Sequence, residues 1–261
     1  MSDVPVTGAD DVLVEVDGGV LTIAINRPEQ RNAVTRSVAE AIAAALTELD
    51  ERPELAVGVL TGTGGTFCAG MDLKRFLAGE QAHVPGRGFG GLVEAPPRKP
   101  LIAAVEGWAL GGGFELVLAC DLVVAAEGAR FGLPEARRGL IARAGGAVRL
   151  PRRLPRAIAL EVLLTGEPLT AGRAAAHGLV NRVVPDGEAL SAAKELAATV
   201  AVNAPLAVAT AKALALDSAE WPEAELFARQ AAYTEPVFAS DDAREGASAF
   251  AERRTPRWQG R

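Results

Sequence analysis

Histidine and cysteine are almost missing from this chain. Two of each, His83 and His177 with Cys68 and Cys120, stand in 261 residues. Two separated thiols make neither a disulfide framework nor a zinc cluster; they read as small core residues in a reducing compartment. Nothing beside either histidine has metal-ligand spacing, so no metal is expected and both read as structural or solvated. Lysine is scarce too, with only Lys74, Lys99, Lys194 and Lys212, and the net charge is −6. That balance argues against bulk nucleic-acid binding. Long apolar runs are missing: Glu106 breaks the run from Leu101, and Asp121 the run from Leu116. No stretch approaches the about 20 residues of a membrane span. The segment 1–16 is acidic and lacks a basic stretch followed by an apolar one, so it is not expected to be a signal peptide. The expectation is a cytoplasmic protein.

What is present is an ordinary globular composition, 49% apolar and 23% charged, and a length that suits one large domain or a main domain with an appendage. Residues 12–16 and 20–25 flank Asp17-Gly18-Gly19, a hairpin signal. Val38, Ala41, Ile42, Ala45, Leu46 and Leu49 recur at helical spacing over 35–49. Strands are expected at 56–60, 101–105 and 122–125, and a helix at 114–119, so strand, glycine-rich turn and helix alternate in an α/β pattern. The stretch 79–100, rich in Gly, Pro and charge, reads as a long loop: a pocket wall or lid, or a surface insertion. Beyond Pro155 the pattern is helical, with one strand at 179–184. Ala-rich helices at 190–200, 206–216, 224–233 and 241–252 are separated by Asn203-Ala204-Pro205, Trp221-Pro222 and Glu235-Pro236. A boundary near residue 200 therefore divides an α/β core (1–200) from a C-terminal helical region (201–261).

Several motifs fail on inspection. Gly65 and Gly70 have P-loop spacing, but Met71-Asp72 follow where Lys and Ser/Thr are needed, so no ammonium meets a phosphate. Gly62 and Gly64 follow a strand, but Phe67 occupies the third glycine position of the dinucleotide fingerprint. No G-x-S-x-G elbow is present.

Two glycine-rich turns remain, 61–73 and 104–116, each entered from a strand and left through a helix. Such turns expose unpaired N–H groups at a helix start, and glycine lets an oxygen approach them. Glu115 is expected one residue into the second helix, and Glu135 follows 20 residues later in FGLPEARRGL (131–140). Two N–H groups converging on one oxygen, with two carboxyls and no nucleophile, suit enolate chemistry on a thioester.

These residues resemble the crotonase family, also called enoyl-CoA hydratase/isomerase. The resemblance spans nearly the whole chain: NRPEQRNAV (26–34), FCAGMDL (67–73), KPLIAAVEGWALGGGFELVLACD (99–121), FGLPEARRGL (131–140), AGGAVRLPR (144–152), LTGEPLTAGRAAAHGLVNRVV (164–184) and FAERRTPRWQGR (250–261). It implies a spiral of repeated ββα units with a C-terminal helical region. It implies that the N–H groups of Met71 and Gly112 form the oxyanion hole. Glu115 and Glu135 occupy the two hydratase carboxylate positions, Glu115 suited to activating water and Glu135 to exchanging the α-carbon proton, with the assignment left open by sequence. CoA would be bordered by Arg31 and Ala33, by the segment Ala69 to Lys74 including Asp72 and Leu73, and by Arg253 or Arg254 near the C-terminus.

The resemblance therefore implies a hydratase acting on a 2-enoyl-CoA thioester, with no cofactor beyond the CoA of the substrate, assembled as a homotrimer or homohexamer, with no nucleic acid and no membrane partner. A double-bond isomerase and a crotonobetainyl-CoA hydratase-like enzyme are the alternatives in the same fold; Phe114 in GGGFE and the ending RWQGR (257–261) point to the latter branch. A non-catalytic CoA-binding or RNA-binding scaffold is the alternative of a different class. The sequence departs from the usual pattern after Glu135, where GLIARAGG (139–146) lacks proline and Arg137, Arg138 and Arg143 add positive charge. Glu106 and Trp108 stand where Asn and a smaller aromatic are common.

Overall fold

A computed structural model describes residues 11–261. The acidic segment, not expected to be a signal peptide, lies through residue 10 outside the described residues. The chain forms, in order, β1 (Val12–Asp17), β2 (Val20–Ile25), α1 (Arg36–Glu51), β3 (Val57–Gly62), α2 (Leu73–Leu77), β4 (His83–Val84), β5 (Gly88–Phe89), β6 (Leu101–Val105), β7 (Trp108–Leu110) and α3 (Gly112–Ala119). It continues through β8 (Leu122–Ala126), β9 (Arg130–Gly132), α4 (Gly146–Arg153), α5 (Arg156–Thr165), β10 (Leu169–Thr170), α6 (Ala171–Ala176) and β11 (Arg182–Val184). The last helices are α7 (Ala189–Ala201), α8 (Pro205–Asp217), α9 (Leu226–Phe238) and α10 (Asp241–Glu252).

The β1–β2 hairpin opens a six-stranded sheet of order β1-β2-β3-β6-β8-β11. Only β1 runs antiparallel; the other pairings are parallel. Parallel strands are buried on both faces, and side chains alternate between the faces with period two. Leu101, Ala103 and Val105 of β6 enter the larger core, whereas Ile102 and Ala104 enter a second core under α7. Opposite faces of one strand thus hold α1 and α3 on one side and α7 on the other. Helix α1 begins at the Thr35 cap, whose hydroxyl accepts the Val38 N–H at 3.3 Å, and buries Val38, Ile42, Leu46 and Leu49 along one stripe.

After β6 and after β8 the chain turns into a second, smaller sheet of order β10-β9-β7. Strand–turn–strand–helix is thereby repeated, and the helix that follows β7 starts at the sheet crossing. Local readings differ from the structure at several places. Helix α3 begins at Gly112, two residues before the apolar pattern does, which puts Glu115 at its fourth residue rather than its second. Strand β10 has two residues, too short to carry a period. The strand expected over 179–184 is paired only from Arg182, because Leu179 and Val180 turn inward as core residues. Helix α9 runs through Pro236, where the sequence predicts a break. Proline removes one donor there, but Ala239 donates to the Glu235 carbonyl at 3.0 Å and closes the last turn.

The stretch 79–100 is not a loose insertion. Its β4–β5 hairpin is followed by Leu92 and Val93, which are buried in the core. Helix α7 belongs to the sheet through Ala193 and Ala197. Helix α8 is held by Lys212, whose Nζ donates to Asp121 at 2.6 Å and to the carbonyls of Pro97 at 2.7 Å and Lys99 at 3.0 Å.

Candidate active site

The two glycine-rich turns lie against each other. The Cys68 N–H donates to the Trp108 carbonyl at 2.9 Å, and the Leu110 N–H donates to the Cys68 carbonyl at 3.0 Å. Such contact leaves no room for side chains at two positions. A Cβ on Gly113 would sit 2.2 Å from the Cys68 carbonyl oxygen; one on Gly70, whose φ is +93°, would sit 2.8 Å from the Leu110 oxygen. The same virtual Cβ of Gly70 lies 3.1 Å from the Gly112 nitrogen, so the peptide entering Met71 borders the start of α3.

Planarity of the peptide fixes where two N–H groups point. A trans peptide carries its C=O and N–H on opposite sides. The Gly70 carbonyl is held by the Val34 N–H at 2.8 Å, so the Met71 N–H of that peptide points away from Val34. The Gly111 carbonyl is held by the Glu115 N–H at 3.0 Å, so the Gly112 N–H points out of the helix start. Neither N–H donates to an acceptor among the described residues. The ring of Phe89, from the expected loop, covers Gly112: a Cβ there would lie 2.4 Å from the ring.

Two carboxyls border these groups. Glu115 is 4% exposed, and its Oε1 accepts the Gly146 N–H at 2.8 Å. Burial pushes its pKa up to about 7; the Glu135 charge adds to this rise, while the Gly146 and Ala144 N–H groups and the Arg149 cation oppose it. Glu135 lies in the turn Pro134–Arg138, with Oε1 3.1 Å from the position of a Cβ on Gly111. Burial raises its pKa as well, opposed by its own backbone N–H and by Arg138. Its Oε2 is buried with no protein partner. A buried carboxyl oxygen without a donor is an expensive feature that a water or substrate group would satisfy.

The other expected residues divide. Arg31 stands at φ +51° and is exposed; its carbonyl accepts the Ala69 N–H at 2.9 Å, joining the first turn to the segment after β2. Ala33 is buried, and its carbonyl accepts from Arg27. Leu73 and Lys74 open α2 and are exposed. The side chains of Arg31 and Lys74 have no hydrogen-bonding or ionic partner among the described residues, so both are available to an anion. The Asp72 carboxylate is not available to a ligand: it caps α2 through Lys74 and Arg75 N–H groups at 3.1 and 3.2 Å and pairs with Arg27 at 3.2 Å. Burial alone would raise its pKa, but those donors hold it below the usual range. Arg253 terminates α10 with φ +54° and makes no hydrogen bond or ion pair with either turn. Arg254 is committed to Glu245 and Glu252.

Sequence reasoning missed Gly146 and Arg149, which flank Glu115, and the cover supplied by Phe89. The paired glycines of AGGAVRLPR were the available signal for the first. It also missed Arg27 and Asn32, whose contacts are wholly tertiary.

An α/β spiral whose two glycine turns place free N–H groups beside one buried carboxyl, Glu115, and one half-buried carboxyl, Glu135, is the crotonase class of fold. The chain belongs to the enoyl-CoA hydratase/isomerase family, whose model matches residues 15–261. The enoyl-CoA hydratase EchA19 of Mycobacterium tuberculosis is 42% identical, over 98% of this chain and 99% of that protein. A carnitinyl-CoA dehydratase of Proteus mirabilis is 41% identical over 94% of this chain and 96% of that protein. Among solved structures, an enoyl-CoA hydratase from M. tuberculosis H37Rv superimposes with a TM-score of 0.95 at 53% identity, covering 97% of this chain and 100% of that chain.

Proposed function

We propose that the protein is an enoyl-CoA hydratase that adds water reversibly across the 2,3 double bond of a 2-enoyl-CoA thioester. The observation that carries this reading is the pair of raised-pKa carboxyls, Glu115 and Glu135, beside the unpaired N–H groups of Met71 and Gly112. The thioester oxygen accepts from both N–H groups and gains negative charge as the enolate forms; preorganised donors aimed there lower that barrier. Water sits between the carboxyls. Glu115 takes its proton as oxygen bonds to the β-carbon, and the α-carbon receives a proton from Glu135, so one proton leaves and one arrives. Arg31 and Lys74 hold CoA phosphates, and CoA enters as part of the substrate.

The oxyanion role and the CoA contacts are part of this proposal, as are a cytoplasmic location and a trimer or hexamer built on the C-terminal helices. Phe227, Phe238 and Phe250 support the last point, being 82%, 82% and 88% exposed in the single chain. Large apolar side chains on successive helices of one region suit burial against other copies. Light scattering would measure the assembly.

The functional test follows loss of the conjugated-thioester absorbance of crotonyl-CoA, with product mass. A gain of one water, abolished in Glu115→Gln and Glu135→Gln, is expected. Movement of the double bond without a gain of water would make the protein an isomerase. Turnover confined to crotonobetainyl-CoA would align it with its carnitinyl-CoA relatives.

A further inference from the structure

The segment between β2 and α1 contributes no group to the carboxyl pair, yet it holds the turn that carries Met71. Arg27 leaves the end of β2 and reaches three places. Its guanidinium donates to the Ala33 carbonyl, pairs with Asp72 at 3.2 Å and lies 3.5 Å from Asp11. The side chains of Arg27 and Asp72 are 10% and 11% exposed, so the pair is shielded from water and from salt. Asn32, fully buried at φ +55°, reinforces the arrangement. Its Oδ1 accepts the Arg27 N–H at 2.8 Å, and its amide donates to Thr63 at 2.8 Å and Thr66 at 2.6 Å, at the entrance of the same turn. A left-handed, non-glycine residue persists only where its surroundings over-determine it.

Between these anchors Val34 makes the two bonds that orient the Met71 peptide. It donates to Gly70 at 2.8 Å and accepts from Asp72 at 3.0 Å. The Arg27–Asp72 pair closes this bridge one residue beyond Met71, and the same guanidinium grips the residue before Val34. One cation therefore clamps both sides of the bridge that aims the Met71 N–H.

We infer that Arg27, with Asp72 as its counter-charge, is a positioning residue for the Met71 oxyanion donor, acting on the rate of the chemical step rather than on CoA binding. This rests on the oxyanion reading given above. The two flanking cations, Arg31 and Lys74, lie on the two segments the pair joins, so CoA bound to them bears on the same bridge. Holding remote parts of a substrate then helps fix the group that stabilises the transition state.

The test compares wild type with Arg27→Lys, Arg27→Met and Asp72→Asn. Asparagine caps a helix about as well as aspartate, so Asp72→Asn removes the charge while keeping the start of α2. Three readouts are taken: kcat and KM for crotonyl-CoA, the dissociation constant of butyryl-CoA, which has no double bond to react, and the pH at which bound acetoacetyl-CoA develops its enolate absorbance. Thermal unfolding checks that each variant is folded. Arg27→Met and Asp72→Asn are expected to lower kcat about ten- to a hundredfold, the range for weakening one oxyanion donor, with butyryl-CoA affinity changed less than about twofold. The enolate absorbance is expected to appear at higher pH, and Arg27→Lys to fall between wild type and Arg27→Met. A rise in KM and loss of butyryl-CoA affinity with kcat and the enolate midpoint unchanged would overturn the inference in favour of a CoA-binding role. Loss of kcat with an unmoved midpoint would overturn it in favour of a general structural one. A wild-type protein that binds acetoacetyl-CoA without shifting its enolate midpoint would instead remove the oxyanion reading, and the positioning role with it.

Discussion

The backbone N–H of Gly146 reaches back across 31 positions to donate to Glu115 Oε1 at 2.8 Å. That bond favours the charged carboxylate, while burial favours the neutral acid and dominates, leaving the pKa near 7. The native protein thus holds a proton on Glu115 that the unfolded chain releases near pH 4.5. The stability this confers is complete below the unfolded pKa and is lost as pH rises through the folded one. Glu115→Gln keeps an oxygen for the Gly146 N–H and has no charge to bury. Urea unfolding at pH 8 is expected to show it more stable than wild type by a few kcal/mol at most, since each pH unit between the folded and unfolded pKa is worth about 1.4 kcal/mol. The gap is expected to close toward pH 4. The same variant is expected to be inactive. An equal gap at both pH values would mean that the Glu115 charge is not the cost.

The pH dependence of turnover follows from the same carboxyl. If Glu115 accepts the proton of water, only its ionised form works, and kcat/KM is expected to fall as pH drops through about 7. The Glu135 charge contributes to that raised value, so removing it moves the titration down. In Glu135→Gln the Glu115 carboxyl, followed by carbon NMR of labelled glutamate, is expected to titrate at lower pH than in wild type. An upward or absent displacement would uncouple the two groups.

Much of this is legible in the sequence because the signals are local. Period-two and helical patterns locate the hairpin, α1, β6 and β8, and glycine density marks both turns. Helix α10 is legible at its observed bounds, since Ser240 caps it and its apolar spacing is clean. The start of α3 is hidden because glycine carries no helical pattern. The anchoring of 79–100 is hidden because its buried residues, Leu92 and Val93, are adjacent rather than periodic. Resemblance assigns Asp72 to substrate binding, while its carboxylate is consumed by Arg27, a residue 45 positions away that no local pattern links to it.

The close contact of the two turns makes its own prediction. At Gly113 an added methyl meets the carbonyl of Cys68, which is held by Leu110 and has nowhere to move. Gly113→Ala is expected to destabilise by about 1–3 kcal/mol and to separate the two donors, lowering kcat. At Gly112 the obstacle is instead the Phe89 ring, a side chain that turns aside if it is smaller. Gly112→Ala is expected to lose activity that Phe89→Leu partly restores, so that the two changes are non-additive in kcat/KM. Additive losses would show that Phe89 does not pack over the donor.

Charge around the carboxyls predicts which acyl tails are accepted. Arg149 acts on Glu115 and Arg138 on Glu135, and the exposed Arg143 stands between them in sequence with no ionic partner among the described residues. Arg138 likewise makes no ion pair among the described residues, so the charges of Arg138 and Arg143 are left without a paired carboxylate. A trimethylammonium tail would meet like charge, whereas crotonyl-CoA carries none. The expected result is a kcat/KM for crotonobetainyl-CoA a few-fold below that for crotonyl-CoA, a difference that shrinks as salt screens it, since exposed charges act weakly and over about one Debye length. Arg143→Gln is expected to narrow the gap without changing crotonyl-CoA turnover. A preference for the cationic tail that persists at high salt would mean that a shaped pocket, rather than the arginine charge, selects the acyl group, and would place the protein's substrate with that of the carnitinyl-CoA dehydratases it resembles.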